Sequence, residues 1–225
     1  MSWEGGAPHE AGHAPRFAPA VSELEGTRIV GLVGAWCLLG GAAAGVLGFV
    51  MPPAVVFFPM ALVGAWVFGL VALAQTRSSV RRMAASVPGY MTPPSTSRLA
   101  GDLVMTLFSA TALAPLATMA DVTAGHPGMT PAEHRSSATG ARARRVGAWL
   151  TFVVGVLWVG ALIASAVWVY QQWQRDVQGP DAWYVLAPIV VGLLGGWLLM
   201  VVNGVTTLIC LSIGRTPSVD QVRNE

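Results

Sequence analysis

Four stretches of this chain are each long enough to cross a bilayer and contain no charged side chain. They are residues 29–50, 54–74, 146–170 and 185–212. About 20 apolar residues in a helix, at 1.5 Å per residue, cross the hydrocarbon core of a membrane. Hydrocarbon offers no hydrogen-bond partners to the backbone, so each stretch must satisfy its own amides and carbonyls. Each is therefore predicted to be a transmembrane helix.

Composition and connections extend this prediction to the whole chain. Apolar residues make up 54% of the sequence and charged residues only 11%, whereas soluble domains carry about 25% charged residues. Residues 51–53 alone join the first two stretches, and a short polar loop, residues 171–184, joins the last two. The sequence thus predicts an all-α integral membrane protein whose four transmembrane helices form two antiparallel hairpins.

Residues 99–120 are apolar on average but carry a polar stripe. Asp102, Thr106 and Ser109 recur at spacings of four and three, which places them on one face of a helix. Pro115 is expected to interrupt this helix and Asp121 to close it. We expect a cytoplasmic-face amphipathic helix or a re-entrant turn here, rather than a fifth span.

The placement of arginine supports four spans. All thirteen basic residues are arginines. If residues 99–120 do not cross, twelve arginines lie on one side and only Arg175 on the other, whereas a crossing would make the split seven to six. The positive-inside rule favours the first arrangement. We therefore expect a multi-pass protein of the plasma or inner membrane with both termini in the cytoplasm.

The predicted organisation follows from these assignments. It comprises a polar cytoplasmic tail (1–27), a first hairpin (28–74), a basic cytoplasmic loop with an interfacial helix (75–145), a second hairpin (146–212) and a cytoplasmic tail (213–225).

Small and polar residues share one face in the first and the last span. The residues concerned are Gly34, Gly41, Gly45 and Gly48 in the first span, and Gly192, Gly196, Asn203 and Thr207 in the last. Each set contains a G-x-x-x-G spacing, which lets helix backbones approach closely, and a buried Asn or Thr adds about 0.6–2 kcal/mol of interhelical hydrogen bonding. We interpret both faces as helix-packing surfaces, with the lining of a solute path as the alternative.

The loop of residues 75–145 is strongly basic, with eight arginines against three acidic residues. This excess is typical of a segment that sets membrane topology. It also allows contact with anionic lipid headgroups or an acidic partner. Arg142, Arg144 and Arg145, directly before the third span, are best placed for that contact.

His9, Glu10 and His13 match the spacing H-E-x-x-H, in which two imidazoles bind zinc and the glutamate activates water. The pentapeptide resembles the H-E-A-G-H motif of the membrane-anchored AAA proteases. Here prolines bracket it in a short tail, and the chain has no soluble domain to supply a third ligand. We interpret the match as a coincidence of composition and keep His9 and His13 only as weak metal candidates.

The leading functional hypothesis is a non-enzymatic accessory, scaffold or assembly subunit of a larger membrane complex or homo-oligomer. Its expected partners are membrane lipids and other membrane subunits or a second copy, with no nucleic acid and no cofactor. The four spans contain no Asp, Glu, His, Lys or Arg, which disfavours a proton- or ion-driven carrier. The alternative is a small channel or transporter that uses Asn203, Thr206 and Thr207 together with a re-entrant segment over 99–121. A metal-dependent membrane enzyme built on His9, Glu10 and His13 is the third hypothesis.

Overall fold

The computed structural model describes residues 18–48, 50–86, 94–124, 131–175 and 182–213, and over these residues it contains helices and no strand. The α-helices are α1 (Ala18–Leu47), α2 (Phe57–Ser86), α3 (Thr96–Ser109), α4 (Leu113–Ala124), α5 (Pro131–Arg175) and α6 (Ala182–Ser212), with a 3-10 helix at Pro52–Val56 before α2. Four of them, α1, α2, α5 and α6, are long and apolar enough to cross a membrane. This confirms the prediction of an all-α fold with four helices long and apolar enough to span a membrane.

The helices extend beyond the charge-free stretches at the arginine-rich end of the bundle. The apolar candidate spans are Glu25–Leu47, Pro52–Arg82, Ser137–Arg175 and Leu186–Ser212. Helix α2 continues to Ser86, and α5 already begins at Pro131. Much of the segment predicted as a basic loop is therefore helical, because its alanines and arginines have high helix propensity.

Glycines set the close packing of α1 on α2. A Cβ added at Gly45 would lie 3.2 Å from the Phe58 ring, and one at Gly41 would lie 2.5 Å from the Ala61 Cβ. Along the contact, residue numbers rise in α2 where they fall in α1. The two helices therefore run in opposite directions. No larger side chain fits between the two helices at Gly41.

Helices α5 and α6 pack on each other in a similar way, again with glycines at the contact. Gly195 of α6 faces the Trp158 ring, while Gly147 of α5 faces the Cys210 sulfur. Helix α6 also packs on α1, where Gly204 approaches the Leu39 side chain. The four long helices therefore form one bundle.

Helix α4 lies inside this bundle. Its residues 113–120 are buried on every side, and it contacts α1, α2, α3 and α5. Residues 113–120 are apolar apart from Thr118, as expected of a helix segment that is buried all round.

Helix α3 has its polar face turned inward and its apolar face outward. Asp102, Thr106 and Ser109 are buried, whereas Val104 and Leu107 are each 46% exposed. A helix at a water interface would place these faces the other way round. The orientation of α3 instead suits apolar surroundings outside the bundle.

The break between α3 and α4 lies at residues 110–112, so the prediction that Pro115 interrupts the helix is wrong. Pro115 lies in the first turn of α4, where backbone N–H groups have no partner within the helix and a residue without an N–H is tolerated. Asp121 does not close the segment either, because α4 continues to Ala124.

Candidate functional site at the break between α3 and α4

The break is a tight polar turn inside the bundle. Ala110 has a left-handed φ of 53°, and its N–H donates to the Thr106 carbonyl at 2.9 Å. The Ser109 and Thr111 hydroxyls are hydrogen-bonded at 2.9 Å, and the Thr111 N–H donates to Ser109 Oγ at 3.3 Å. A non-glycine residue in this conformation costs about 1–3 kcal/mol. These local hydrogen bonds and the burial of Ala110 hold it there.

Side chains from other helices satisfy the end of α3. The last four carbonyls of a helix have no donor within it. Trp66 Nε1 of α2 donates to the Leu107 carbonyl at 2.8 Å, and Asn203 Nδ2 of α6 donates to the Ser109 carbonyl at 2.5 Å.

The remaining carbonyl, that of Phe108, lies directly against Gly155 of α5. The absence of a side chain at Gly155 permits this approach. Helices α2, α5 and α6 thus all contact the same helix end.

Two polar atoms beside the break lack a hydrogen-bond partner among the described residues. They are Thr106 Oγ1 and Asn203 Oδ1, and both residues are fully buried. Leaving a buried polar atom unpaired costs about 1–3 kcal/mol. Thr106 belongs to the polar stripe that runs along α3 from Asp102 to Ser109, a distance of about 10 Å. The stripe therefore presents hydrogen-bonding capacity that the described part of the protein does not use.

A pocket of about 210 Å³ lies between α3, α4 and α5 at the arginine-rich end of the stripe. Asp102, Met105 and Trp149 contribute to its lining. Thr118 Oγ1 of α4 donates to Asp102 Oδ2 at 2.7 Å. Burial raises the pKa of Asp102, although the Thr118 hydrogen bond and the charge of Arg98 act in the opposite direction. The pocket gives access to this buried carboxyl group.

Two ion pairs join the helices around this pocket. Asp121 of α4 accepts hydrogen bonds from Arg98 of α3 and Arg145 of α5. Both arginines are substantially exposed, and exposed ion pairs contribute only about 0–1 kcal/mol to stability. Their main effect is to fix the positions of α3, α4 and α5 relative to one another.

The surroundings of the break become apolar beyond the polar stripe. Ala110 packs in a buried cluster with Leu38, Phe58, Leu62 and Met200. The polar stripe therefore leads from the pocket to the break and ends against an apolar layer.

The predicted helix-packing glycines lie mostly at contacts inside the bundle. Besides Gly41 and Gly45, Gly34 approaches Phe68, Gly192 approaches Leu162 and Gly196 approaches Phe58, with added Cβ atoms 3.4, 3.5 and 3.0 Å from those side chains. Gly48 lies in the turn after α1.

The polar residues predicted on α6 have separate roles. Asn203 reaches the break, whereas the buried Thr207 hydroxyl donates to the Asn203 carbonyl within α6 at 2.7 Å. The Thr206 methyl group faces Gly147 of α5. Only Asn203 of this group contacts the turn.

The three arginines that precede the third predicted span point in different directions. Arg142 is exposed, Arg145 pairs with Asp121, and Arg144 is buried at 6% exposure. They do not form one basic patch.

His9, Glu10 and His13 lie outside the described residues. Within the part of the chain that the structure describes, no group of three or more His, Cys, Asp or Glu residues is placed to hold a metal ion.

Sequence reasoning missed Trp66, Gly155 and Thr118 as contributors to this site. Each lies in an apolar or small-residue setting that looks like ordinary helix packing, and only the tertiary arrangement brings it to α3. The ion pairs of Asp121 with Arg98 and Arg145 were not predicted either, because these arginines lie 23 and 24 residues away from Asp121 along the chain.

Comparison of the chain with protein-family models, with curated proteins and with solved structures gives no match.

Proposed function

We propose that this protein is a small membrane transporter or gated channel for polar solutes, in which α3 and α4 form a re-entrant helical hairpin. The observation that carries the proposal is the hydrogen bond from Asn203 Nδ2 to the Ser109 carbonyl. It joins the polar position of the last span to the break between two short helices. Membrane transporters build solute sites from such discontinuous helices, whose ends lie near the middle of the bilayer.

The depth of the break supports a re-entrant position. A Cβ added at Gly69 of α2 would lie 3.3 Å from the Thr111 carbonyl oxygen, and Gly69 precedes Arg77 by about 12 Å of helix. Gly155, which contacts Phe108, follows Arg145 by about 15 Å. Measured from these arginines, the break lies near the middle of a hydrocarbon core about 30 Å thick.

The proposed topology places two helical hairpins, α1–α2 and α5–α6, across the inner or plasma membrane with both termini in the cytoplasm. The arginine-rich ends of α2 and α5 then face the cytoplasm, in agreement with the positive-inside rule. In this orientation the pocket opens to the cytoplasm, and the apolar cluster around Ala110 closes the outer side. The arrangement corresponds to the cytoplasm-open state of a carrier or to a closed channel.

Asp102 adds proton coupling to this proposal. The four spans contain no Asp, Glu, His, Lys or Arg within their charge-free stretches, but Asp102 lies in α3, outside them. It is buried, its pKa is raised, and it begins the polar stripe. Buried carboxyl groups of this kind are typical of proton relays in transporters.

Flux into liposomes tests the function. We would reconstitute the purified protein and measure swelling in glycerol and in urea by light scattering, and proton entry with an entrapped pH dye. Transport of at least one of these probes above that of protein-free liposomes is expected. Liposomes that remain silent for all three would count against the proposal.

A matched pair of variants separates a solute path from general packing. Thr106→Val removes the unpartnered hydroxyl without changing the volume of the side chain, and should change the flux by about tenfold, the equivalent of one hydrogen bond. Thr151→Val is the control, since Thr151 is equally buried but its hydroxyl donates within α5 to the Ala148 carbonyl at 3.1 Å. Equal effects of the two substitutions would contradict a path along α3.

An accessory or assembly role remains the second candidate, and the sparse packing of α5 favours it. Over the 18-residue apolar part of α5, only 6% of the residues are buried, the lowest share among the four spans. Leu157 and Ile163 are both well exposed on its outer half. An assembly subunit would bury this face against a second copy or another membrane protein. A strictly monomeric mass in detergent, with no protein recovered by native pull-down, would contradict this role.

A further inference from the structure

Two arginines converge at the arginine-rich end of the bundle, and neither has an acidic partner within the part of the chain that the structure describes. Arg144 of α5 is only 6% exposed, and its Nε has no hydrogen-bond partner among the described residues. Arg28 of α1 likewise has a buried and unpartnered Nε. Among the described ionisable groups, those close enough to act on Arg144 are Arg28 and the Cys210 thiol. Neither of them neutralises its charge.

The helix contacts explain why these residues meet. Cys210 of α6 donates to the Ala143 carbonyl at 3.4 Å, next to Arg144. One residue further along α6, Leu211 packs against Gly31, which is three residues after Arg28 on α1. Helix α6 therefore brings the arginine-bearing turns of α1 and α5 together.

This arrangement is unfavourable without an additional anion. Removing a charge from water is strongly unfavourable unless a counter-charge and hydrogen bonds replace the water. Here two like charges are brought together, which adds repulsion to desolvation. Glu25, one turn before Arg28, is exposed and makes no ion pair within the described part of the chain.

We infer that Arg28 and Arg144 form a binding site for a phosphate group between α1, α5 and α6. A guanidinium presents parallel N–H donors that match two phosphate oxygens, so two guanidiniums surround one phosphate on two sides. The site lies where the helices leave the apolar region on the arginine-rich side. Basic pockets between transmembrane helices at that level bind the headgroups of anionic lipids, and a free phosphate ion offers the same chemistry.

Thermal melting in the presence of defined anions tests this site. We would follow the melting of delipidated protein in a neutral detergent by tryptophan fluorescence, while titrating phosphatidylglycerol, phosphatidylcholine or inorganic phosphate. Phosphatidylglycerol should raise the Tm saturably, and phosphatidylcholine should not. Arg144→Gln should raise the half-saturating concentration by at least about tenfold, the loss expected when one charge-assisted pair is removed. Arg142→Gln is the matched control, because Arg142 is exposed on the same helix.

The titration with inorganic phosphate distinguishes a lipid headgroup from a free phosphate ion as the ligand of this site. A saturable response to inorganic phosphate that Arg144→Gln abolishes assigns the site to a free anion, and a response to phosphatidylglycerol alone assigns it to a lipid. Failure of both anions to change the Tm would overturn the inference, as would equal responses of Arg144→Gln and Arg142→Gln.

A second measurement excludes an internal partner. Without added anion, Arg144→Gln should melt no lower than the wild-type protein, because it relieves repulsion from Arg28. A marked decrease of the Tm would mean that a group of the protein already neutralises Arg144, and it too would overturn the inference.

Discussion

Gly155 is the position at which the smallest substitution should disturb the candidate site most. Its backbone lies directly against the Phe108 carbonyl at the end of α3. A Cβ at position 155 would stand 2.6 Å from the Phe108 carbonyl carbon and closer still to its oxygen. Carbon atoms in van der Waals contact are about 3.5–4.0 Å apart. Gly155→Ala must therefore move α3 away from α5 by about 1 Å.

The obstructing group is backbone, so it cannot rotate away as a side chain would. Overpacking of a well-filled interior costs about 1–3 kcal/mol, and a backbone contact belongs at the upper end of that range. The displacement also strains the hydrogen bonds that Trp66 and Asn203 make to the same helix end. For a chain of this size, about 3 kcal/mol corresponds to a decrease of the Tm by about 6–12 °C.

Tryptophan fluorescence during heating measures this decrease directly in a mild detergent. The matched control is Gly160→Ala, on the same helix, where an added Cβ has no atom within 4 Å. Replacement of glycine by alanine in a helix is otherwise neutral or favourable, so the control should melt at or above the wild-type temperature. Equal melting of the two variants would refute the close contact between α3 and α5.

Two further predictions concern Asp102 and the first G-x-x-x-G. Burial raises the pKa of Asp102, so the folded protein binds the proton of Asp102 more tightly than the unfolded chain does. The free energy of unfolding should therefore fall as the pH rises from 3.8 through the raised pKa. Asp102→Asn, which can still accept from Thr118, should remove this dependence and raise the Tm at neutral pH; an unchanged pH profile would contradict the burial of a proton-binding carboxyl. Gly41→Ala should lower the Tm, since its Cβ would meet Ala61 at 2.5 Å, whereas Gly40→Ala, with no atom within 4 Å, should not.

The long helices and the polar face of α3 follow from local patterns. A charge-free stretch of bilayer length constrains the backbone by itself, because no other structure satisfies its hydrogen bonds in hydrocarbon. The spacing of Asp102, Thr106 and Ser109 likewise fixes a common face without knowledge of neighbouring helices. What the spacing leaves open is the direction of that face, which depends on whether water or lipid surrounds α3.

The sequence pattern did not predict the position of the break between α3 and α4. Glycine is the usual residue in the left-handed conformation that follows a helix, and the chain places Ala110 there instead. Pro115 is the obvious helix breaker, but it lies in the first turn of α4, where proline is tolerated. The turn is selected by the Ser109 and Thr111 hydroxyls and by donors from Trp66 and Asn203, which are distant in sequence. Such tertiary bonds leave no periodic signal in the chain.

The same bonds limit how the break can move under the proposed function. Opening toward the outer side requires α3 to give up the donors of Trp66 and Asn203, each worth about 0.5–1.5 kcal/mol when water replaces them. In a dry interior the freed carbonyls would instead cost several kcal/mol. Such movement of α3 is therefore possible only when water or a polar solute enters at the same time. The solute then replaces Trp66 and Asn203 as the hydrogen-bond partner of the freed carbonyls. Under the proposed function, the Thr106 hydroxyl, which has no partner among the described residues, is available to such a solute beside the break, and the flux of Thr106→Val tests this.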